Sequence, residues 1–376
     1  MPSSACEDTN SSRVLDTPRD CSGCGGSEGL LVSARLRKID ERASQDCASC
    51  HFIRNVIEHY SPGIESDQQI GVGRSSGIHE VIVGYGEPDP LRISVYGHDD
   101  PSSTWLDYKQ NAKGSLPTHL PEIIGDSSSP AALALVKKWI LNCEMNHGSG
   151  CKQKRPSLLP TRVLDVGSPD EGFGIHLYET SNETARYICL SHCWGGANLF
   201  KTETDSLLAR TQQIDWNDLP KTFQDAITMT RALGIRYLWI DSLCIIQDDE
   251  EDWRGESAKM HEIYRNGYLT IAASKSKWPN GGLFAVASPD YKLKEWHMET
   301  QETKIQTRRI IEHFEASKEF PLMQRGWVFQ ERVLSRRILH FGSPELIWEC
   351  MQHQVCECSL LRSSLASQGG RKIICQ

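Results

Sequence analysis

The sequence predicts an α/β fold, a parallel sheet covered on its faces by helices, behind a smaller α+β region. Three observations carry this. Between Tyr187 and Ala273 short apolar runs alternate with segments of helical periodicity, the pattern that sets parallel strands between helices. The run Tyr237-Leu-Trp-Ile240 is compact and apolar and ends on Asp241, so one carboxylate stands where a buried strand stops. Earlier, the runs Ile78–Tyr85 and Leu91–Tyr96 flank the turn sequence Gly86-Glu-Pro-Asp-Pro90, which reads as a hairpin.

Taken in order, residues 1–28 are rich in Ser, Gly, Asp and Cys and have little to bury, so disorder is expected there. Leu30 to His59 carries a helical pattern, the hairpin follows, and residues 99–128 read as a loop. Pro130 to Cys143 is a helix. The texture changes near Leu158, after which Leu164–Val166, His176–Tyr178 and Tyr187–Ser191 are strand-like. Asp218-Leu-Pro220 opens a helix with Pro near its first turn, Phe223, Ala226, Ile227, Thr230 and Leu233 keep helical spacing, and Gly234 closes it. The Tyr237–Ile240 strand, a helix from about Trp253 to Arg265, and the strand Tyr268–Ala273 come next. Residues 279–322 are expected to be irregular and poor in strand. Gly326–Ser335 is a helix, and Ile338–Phe341 with Glu345–Glu349 forms a hairpin about Gly342-Ser-Pro344. No internal repeat is visible. Four segments result: a disordered 1–28, an α+β region over 29–154, the α/β domain over 155–350, and a polar tail over 351–376.

Composition narrows the function. The 376 residues carry 41 Lys+Arg against 49 Asp+Glu, a net charge of −8, which argues against a dedicated nucleic-acid binder. No apolar run approaches the roughly 18 residues of a membrane span. The opening Met1–Asp8 is polar and acidic, unlike a secretory signal. Without one, the 14 Cys are expected as thiols or metal ligands rather than disulfides, which fits a cytoplasmic or nuclear setting.

Several motifs in one order then resemble a known family. Tyr187-Ile-Cys-Leu-Ser-His-Cys-Trp-Gly195, Leu219-Pro-Lys-Thr-Phe-Gln-Asp-Ala-Ile227 and Leu233–Asp249 are similar to the fungal HET (heterokaryon incompatibility) domain. Trp253, Met260, Ile263–Asn266, Gly282-Leu283 and Arg325–Arg336 continue the resemblance over about 187–332. Leu159–Asp165 and the Cys-x3-His-x3-Cys of Cys143, His147 and Cys151 resemble what precedes such domains. The resemblance implies self/non-self recognition after fungal cells fuse, with regulated cell death when partners are incompatible. Many members continue past the hairpin at 338–349. HET domains are also compared with TIR domains, which implies a TIR/flavodoxin-like parallel sheet with additional strands. Some TIR domains cleave NAD with a Glu four residues after a Trp, and Trp327 and Glu331 have that spacing, on one helix face.

The candidate site residues follow. Glu331 is the catalytic candidate, because cleavage of the nicotinamide–ribose bond passes through an oxocarbenium-like state that a carboxylate stabilises. The competing view is a solvated helix acid paired with Arg325, Arg332 or Arg336. Trp327 is the candidate to stack on nicotinamide. Ser191, Trp194, Gly195 and Gly196 form a strand-end turn whose backbone N–H groups suit a phosphate, or else a tight turn anchored by Trp194. Asp241 either positions a ligand or caps the loop after its strand. The acidic run Asp248–Asp252 complements the start of the next helix. A nucleophilic Cys193 with His192 as base is disfavoured, since adjacent strand residues point to opposite faces.

Two metal sets arise. Cys21-x-x-Cys24 and Cys47-x-x-Cys50 are separated by 22 intervening residues, close to zinc-site spacing. Cys143, His147 and Cys151 supply three ligands, with Cys356 or Cys358 as a fourth. The expected function is a HET-type incompatibility and cell-death effector, an NAD glycohydrolase candidate with zinc as a possible cofactor. Its expected partner is an incompatibility protein or a second copy. The alternatives are a non-enzymatic TIR-like self-association module and an inactive truncated member.

Overall fold

A computed structural model describes residues 32–45, 47–75, 78–83, 91–97, 122–148, 150–153, 155–168, 172, 174–195, 200–297, 304–311, 313, 320–359 and 363–364. The chain forms two compact units, Met1–His119 with Leu293–Ile310, and Leu120–Lys292 with Ile311–Gln376. The first unit starts with β1 (Val32–Arg35), α1 (Leu36–Ala43), α2 (Ala48–Tyr60), β2 (Gln69–Ser75), β3 (Ile78–Val83) and β4 (Leu91–Gly97). The second runs through α3 (Pro130–Asn146), β5 (Ser157–Leu158), β6 (Arg162–Asp165), β7 (His176–Glu179), β8 (Thr184–Ala185), β9 (Tyr187–Ser191), α4 (Thr204–Gln212), α5 (Lys221–Ala232), β10 (Tyr237–Ile240), α6 (Asp241–Cys244), α7 (Glu250–Asn266) and β11 (Leu269–Ala272). The chain then returns to the first unit for β12 (Lys294–His297) and β13 (Lys304–Arg309). It completes the second with α8 (Gly326–Leu334), β14 (Arg337–Phe341), β15 (Leu346–Cys350), β16 (His353–Cys356) and β17 (Ser363–Ser364).

The first unit is an antiparallel six-stranded sheet in the order β1-β2-β3-β4-β13-β12, with α1 and α2 on one face. Ile70 and Val72, Val81 and Val83, and Ile93 and Val95 repeat every second residue and pack against Leu36, Ile39, Ile53, Val56 and Ile57. The hairpin predicted at 78–96 is present as β3 and β4, paired Val81↔Ile93. Three expectations change. Val32–Arg35 is a strand, because it pairs with β2, and only the remainder of 30–59 is helical. The Gly-rich β2, whose local strand signal is weak, was not foreseen. Residues 279–322, expected to be poor in strand, contribute β12 and β13, which complete this sheet beside β4.

The second unit holds a nine-stranded mixed sheet, β17-β16-β15-β14-β11-β9-β10-β6-β7. Its centre, β14-β11-β9-β10, is parallel as predicted. Of these, β9 and β11 are buried along their lengths, which is why they read as largely apolar runs without alternation. The flanks are antiparallel, so the sheet is mixed rather than parallel throughout. Short connections such as the four residues from Gly342 to Glu345 join only antiparallel neighbours. Ser129 caps α3 by accepting from Ala132 N, and Gly234 takes a φ of +71° where the chain leaves α5. The tail expected from 351 instead adds β16 and β17, with Cys356, Glu357 and Cys358 buried. Among the described residues no helix is long and apolar enough to cross a membrane.

Candidate functional site

Strand β9 connects onward to β10 on one side, whereas the next strand of this sheet after β11 is β14, on the other side. Open α/β sheets bind ligands beyond the carboxyl ends of strands at such a switch point. Ser191, His192 and Cys193 stand at the end of β9 and Asp241 at the end of β10.

Glu331 joins them from α8. It is 5% exposed, so the picture of a solvated helix acid does not hold. Its neighbouring arginines are engaged elsewhere. Arg332 Nε donates to Glu349 at 2.8 Å, Arg336 Nε to the Arg265 carbonyl at 3.0 Å, and Arg325 to the His192 carbonyl. Burial, and after it the charge of Asp241, push the Glu331 carboxyl up to about 7. The Ser191 hydroxyl, the Arg325 guanidinium and the Tyr264 hydroxyl act in the opposite direction. Ser191 thus lies close enough to influence the carboxylate, yet Ser191 Oγ and Glu331 Oε2 complete no well-formed hydrogen bond.

Asp241 is an organiser. Its Oδ2 accepts from the Trp194 indole at 2.8 Å and its Oδ1 from Ser242 N at 2.7 Å. Trp194 is thereby held over the end of β10. His192 Nδ1 is 3.7 Å from Asp241 Oδ1, beyond hydrogen-bond reach, and the ring meets Phe223 edge-on at 5.0 Å. Burial lowers its pKa, against the pull of Asp241, so the ring is neutral at neutral pH. Cys193 is a protonated thiol, raised by burial, which removes the thiolate a cysteine nucleophile needs.

Unsatisfied buried polar atoms gather here. Ser191 Oγ, both ring nitrogens of His192, Ser242 Oγ and Glu331 Oε2 are enclosed without a hydrogen-bond partner. Each such group is costly alone, and their concentration at strand ends marks a place for water or a ligand.

The structure therefore brings Ser191, Trp194, Asp241 and Glu331 together. Gly195 has a φ of +76°, and a Cβ there would meet Pro279 Cδ at 2.8 Å, so only glycine suits this turn. Gly196 lies outside the described residues. Trp327, one helical turn before Glu331, is 64% exposed and stands outside the buried cluster. Sequence reasoning did not assign Tyr264 and Arg325 to the site. Tyr264 read as one more core position on its helix, and Arg325 entered only as a possible ion-pair partner of Glu331 and as the start of the Arg325–Arg336 motif. Asp249 caps α7 by accepting from Glu251 N and Asp252 N, the role expected of that acidic run.

Of the first predicted metal set, Cys21 and Cys24 lie outside the described residues, Cys47 precedes α2 and Cys50 is buried in the first unit's core. Two groups among the described residues have donor atoms within 4.8 Å of one another and are able to hold a metal ion. They are Cys143, His147, Cys151 and Cys350, and His313, Glu345, Cys356 and Cys358. The fourth member of the first group is Cys350, not Cys356 or Cys358. The reason is the β15–β16 hairpin, whose pairing of Ile347 with Cys356 carries Cys356 to the end opposite Cys350, beside Glu345.

Residues 187–331 match the family model described as heterokaryon incompatibility protein (HET). No curated protein and no solved structure matches the chain.

Proposed function

We propose that this chain, which carries a heterokaryon incompatibility domain over residues 187–331, acts in self/non-self recognition between fused fungal cells and triggers cell death by hydrolysing NAD at Glu331. The supporting observation is the burial of Glu331 beside Ser191 and Asp241, at the carboxyl ends of parallel strands, among polar atoms with no partner.

The reaction breaks the bond between ribose C1′ and the nicotinamide nitrogen. The electron pair returns to the ring, which leaves uncharged, so the leaving group needs no acid. Water adds to C1′ and gives up a proton. What remains for the protein is the positive charge of the oxocarbenium-like ribose, and an ionised carboxylate in a water-poor site answers it strongly. Glu331 fills this role in its ionised form, which predominates above about pH 7. In this reading Ser191 and His192 hydrogen-bond the ribose hydroxyls or the attacking water. The 191–195 turn offers N–H groups to the diphosphate, and Trp327 stacks on nicotinamide. The carboxyl is enclosed, so substrate enters only when α8 moves off the end of β9, breaking the contact from Arg325 to His192.

Purified protein incubated with NAD is expected to release nicotinamide and ADP-ribose, and Glu331→Gln to stop the release with its circular dichroism unchanged. Equal rates in the two proteins, or a wild type silent at neutral and alkaline pH, refute the catalytic role. A second reading, signalling by self-association, draws on the exposure of Phe329 on α8. It is supported if Glu331→Gln still kills cells on expression and Phe329→Ala does not.

A further inference from the structure

We propose that Cys143, His147, Cys151 and Cys350 form a structural zinc centre in the second unit. The set is built from three places in the chain. Cys143 and His147 are four residues apart at the end of α3, Cys151 follows in the next turn, and Cys350 ends β15. All four are buried, and none of the three cysteines is in a disulfide.

Their donor atoms lie within 4.8 Å of one another, and Cys350 Sγ is 3.3 Å from His147 Nδ1. Zinc bonds of about 2.3 Å to sulfur and about 2.0 Å to nitrogen, at tetrahedral angles, set donors roughly 3.5–3.8 Å apart. Binding requires only small adjustments: wider pairs close by at most about 1 Å, and the Cys350–His147 pair opens slightly. Three thiolates and an imidazole are the donors zinc prefers, and four protein ligands close the coordination sphere, which marks a structural site. Binding expels the thiol protons to solvent.

A second observation points to the same ion. Arg337 is 1% exposed, its Nε has no partner, and its nearest carboxylate, on Glu144, is 3.9 Å away. A buried guanidinium with so distant a counter-ion is costly. Zinc with three thiolates carries one net negative charge and supplies the missing balance. Arg337 already donates to the Cys151 carbonyl at 2.8 Å, so it stands against the ligand loop. The backbone N–H of His353 points at Cys350 Sγ at 3.4 Å, an outer hydrogen bond of the kind that supports metal thiolates.

The centre reaches the candidate active site through its neighbours in sequence. Glu349, beside Cys350, accepts from Arg332 on α8 at 2.8 Å and lies 3.2 Å from His340 Nε2 on β14. Arg337 begins β14. The metal therefore fixes the register of α3 and β15 against the elements that carry Glu331.

The test is the zinc content of the purified full chain by plasma mass spectrometry, with cobalt(II) as a spectroscopic substitute. Cys350→Ser and His147→Ala are each expected to lose one equivalent of zinc. His147→Cys keeps it as a four-thiolate site, and Cys358→Ser, in the other cluster, leaves this equivalent in place. Cobalt(II) added to chelator-stripped wild type is expected to show a thiolate charge-transfer band that Cys350→Ser weakens. A folded wild type that holds no zinc and shows no such band overturns the proposal. So does unchanged zinc in both Cys350→Ser and His147→Ala. Because the wild-type and His147→Cys measurements stand alone, misfolding of the serine variant does not protect the idea.

Discussion

Replacing Glu331 by Gln is expected to stabilise the folded protein, and to do so only above about pH 4.5, most of all at neutral and alkaline pH. In the unfolded chain this carboxyl titrates near 4.5, whereas in the fold burial and the charge of Asp241 raise it to about 7. Below 4.5 both states hold the proton and the group costs nothing. Between the two values the unfolded chain ionises while the folded one does not, so stability falls as pH rises, and the loss is complete once the folded carboxyl has ionised above about 7. A gap of about 2.5 pH units, at about 1.4 kcal/mol per unit, makes the full loss roughly 3 kcal/mol. Gln has nearly the same shape and no charge, so the variant avoids it. Glu357, also pushed up to about 7 by burial, titrates in both proteins and cancels in the comparison. Urea unfolding of the two proteins across this range measures the difference. It should be near zero at about pH 4.5 and grow in favour of the variant to roughly 3 kcal/mol by about pH 8.5. A difference that is flat with pH, or that turns against the variant at alkaline pH, refutes the raised pKa and with it the account of Glu331 as a desolvated, strained carboxyl.

Four further outcomes are expected. If NAD is hydrolysed, the rate rises as pH passes about 7, where Glu331 ionises, and a rate falling through that range contradicts the role of the carboxylate. Asp252→Ala leaves the buried Arg162 without its paired carboxylate and Ile246 N without its acceptor, so about 3–5 kcal/mol of stability is lost in chemical denaturation. Gly195→Ala strains a left-handed turn and crowds Pro279, costing about 1–3 kcal/mol, and an unchanged unfolding midpoint argues against that turn geometry. Arg325→Ala releases the start of α8 from the end of β9, and faster hydrogen exchange along α8 is the readout.

Much of the second unit was legible because its central strands are buried on both faces. Such strands need apolar residues without interruption, so Tyr187–Ser191, Tyr237–Ile240 and Leu269–Ala272 announce themselves. The helices between them show in apolar spacing and in their ends, Pro220 and Gly234 for α5 and the acidic run before α7. Asp241 was visible for the same reason, a lone carboxylate where apolar sequence stops.

Other features were decided only when distant segments met. The Gly-rich β2 and the polar β12 and β13 carry weak local strand signals, and their pairing with neighbours makes them strands. Cys350 became a ligand candidate because α3 packs against β15 and brings Cys143 and His147 to it, while the hairpin register carries Cys356 away. Glu331 is the sharpest case. By sequence it is a helix acid beside arginines, indistinguishable from a solvated one. Its burial comes from α8 lying against β9 and α7, contacts with residues many tens of positions away. Sequence periodicity reports a residue's near neighbours and thus the secondary structure. Desolvation and partnering depend on what packs above it, and that is fixed by the tertiary arrangement alone.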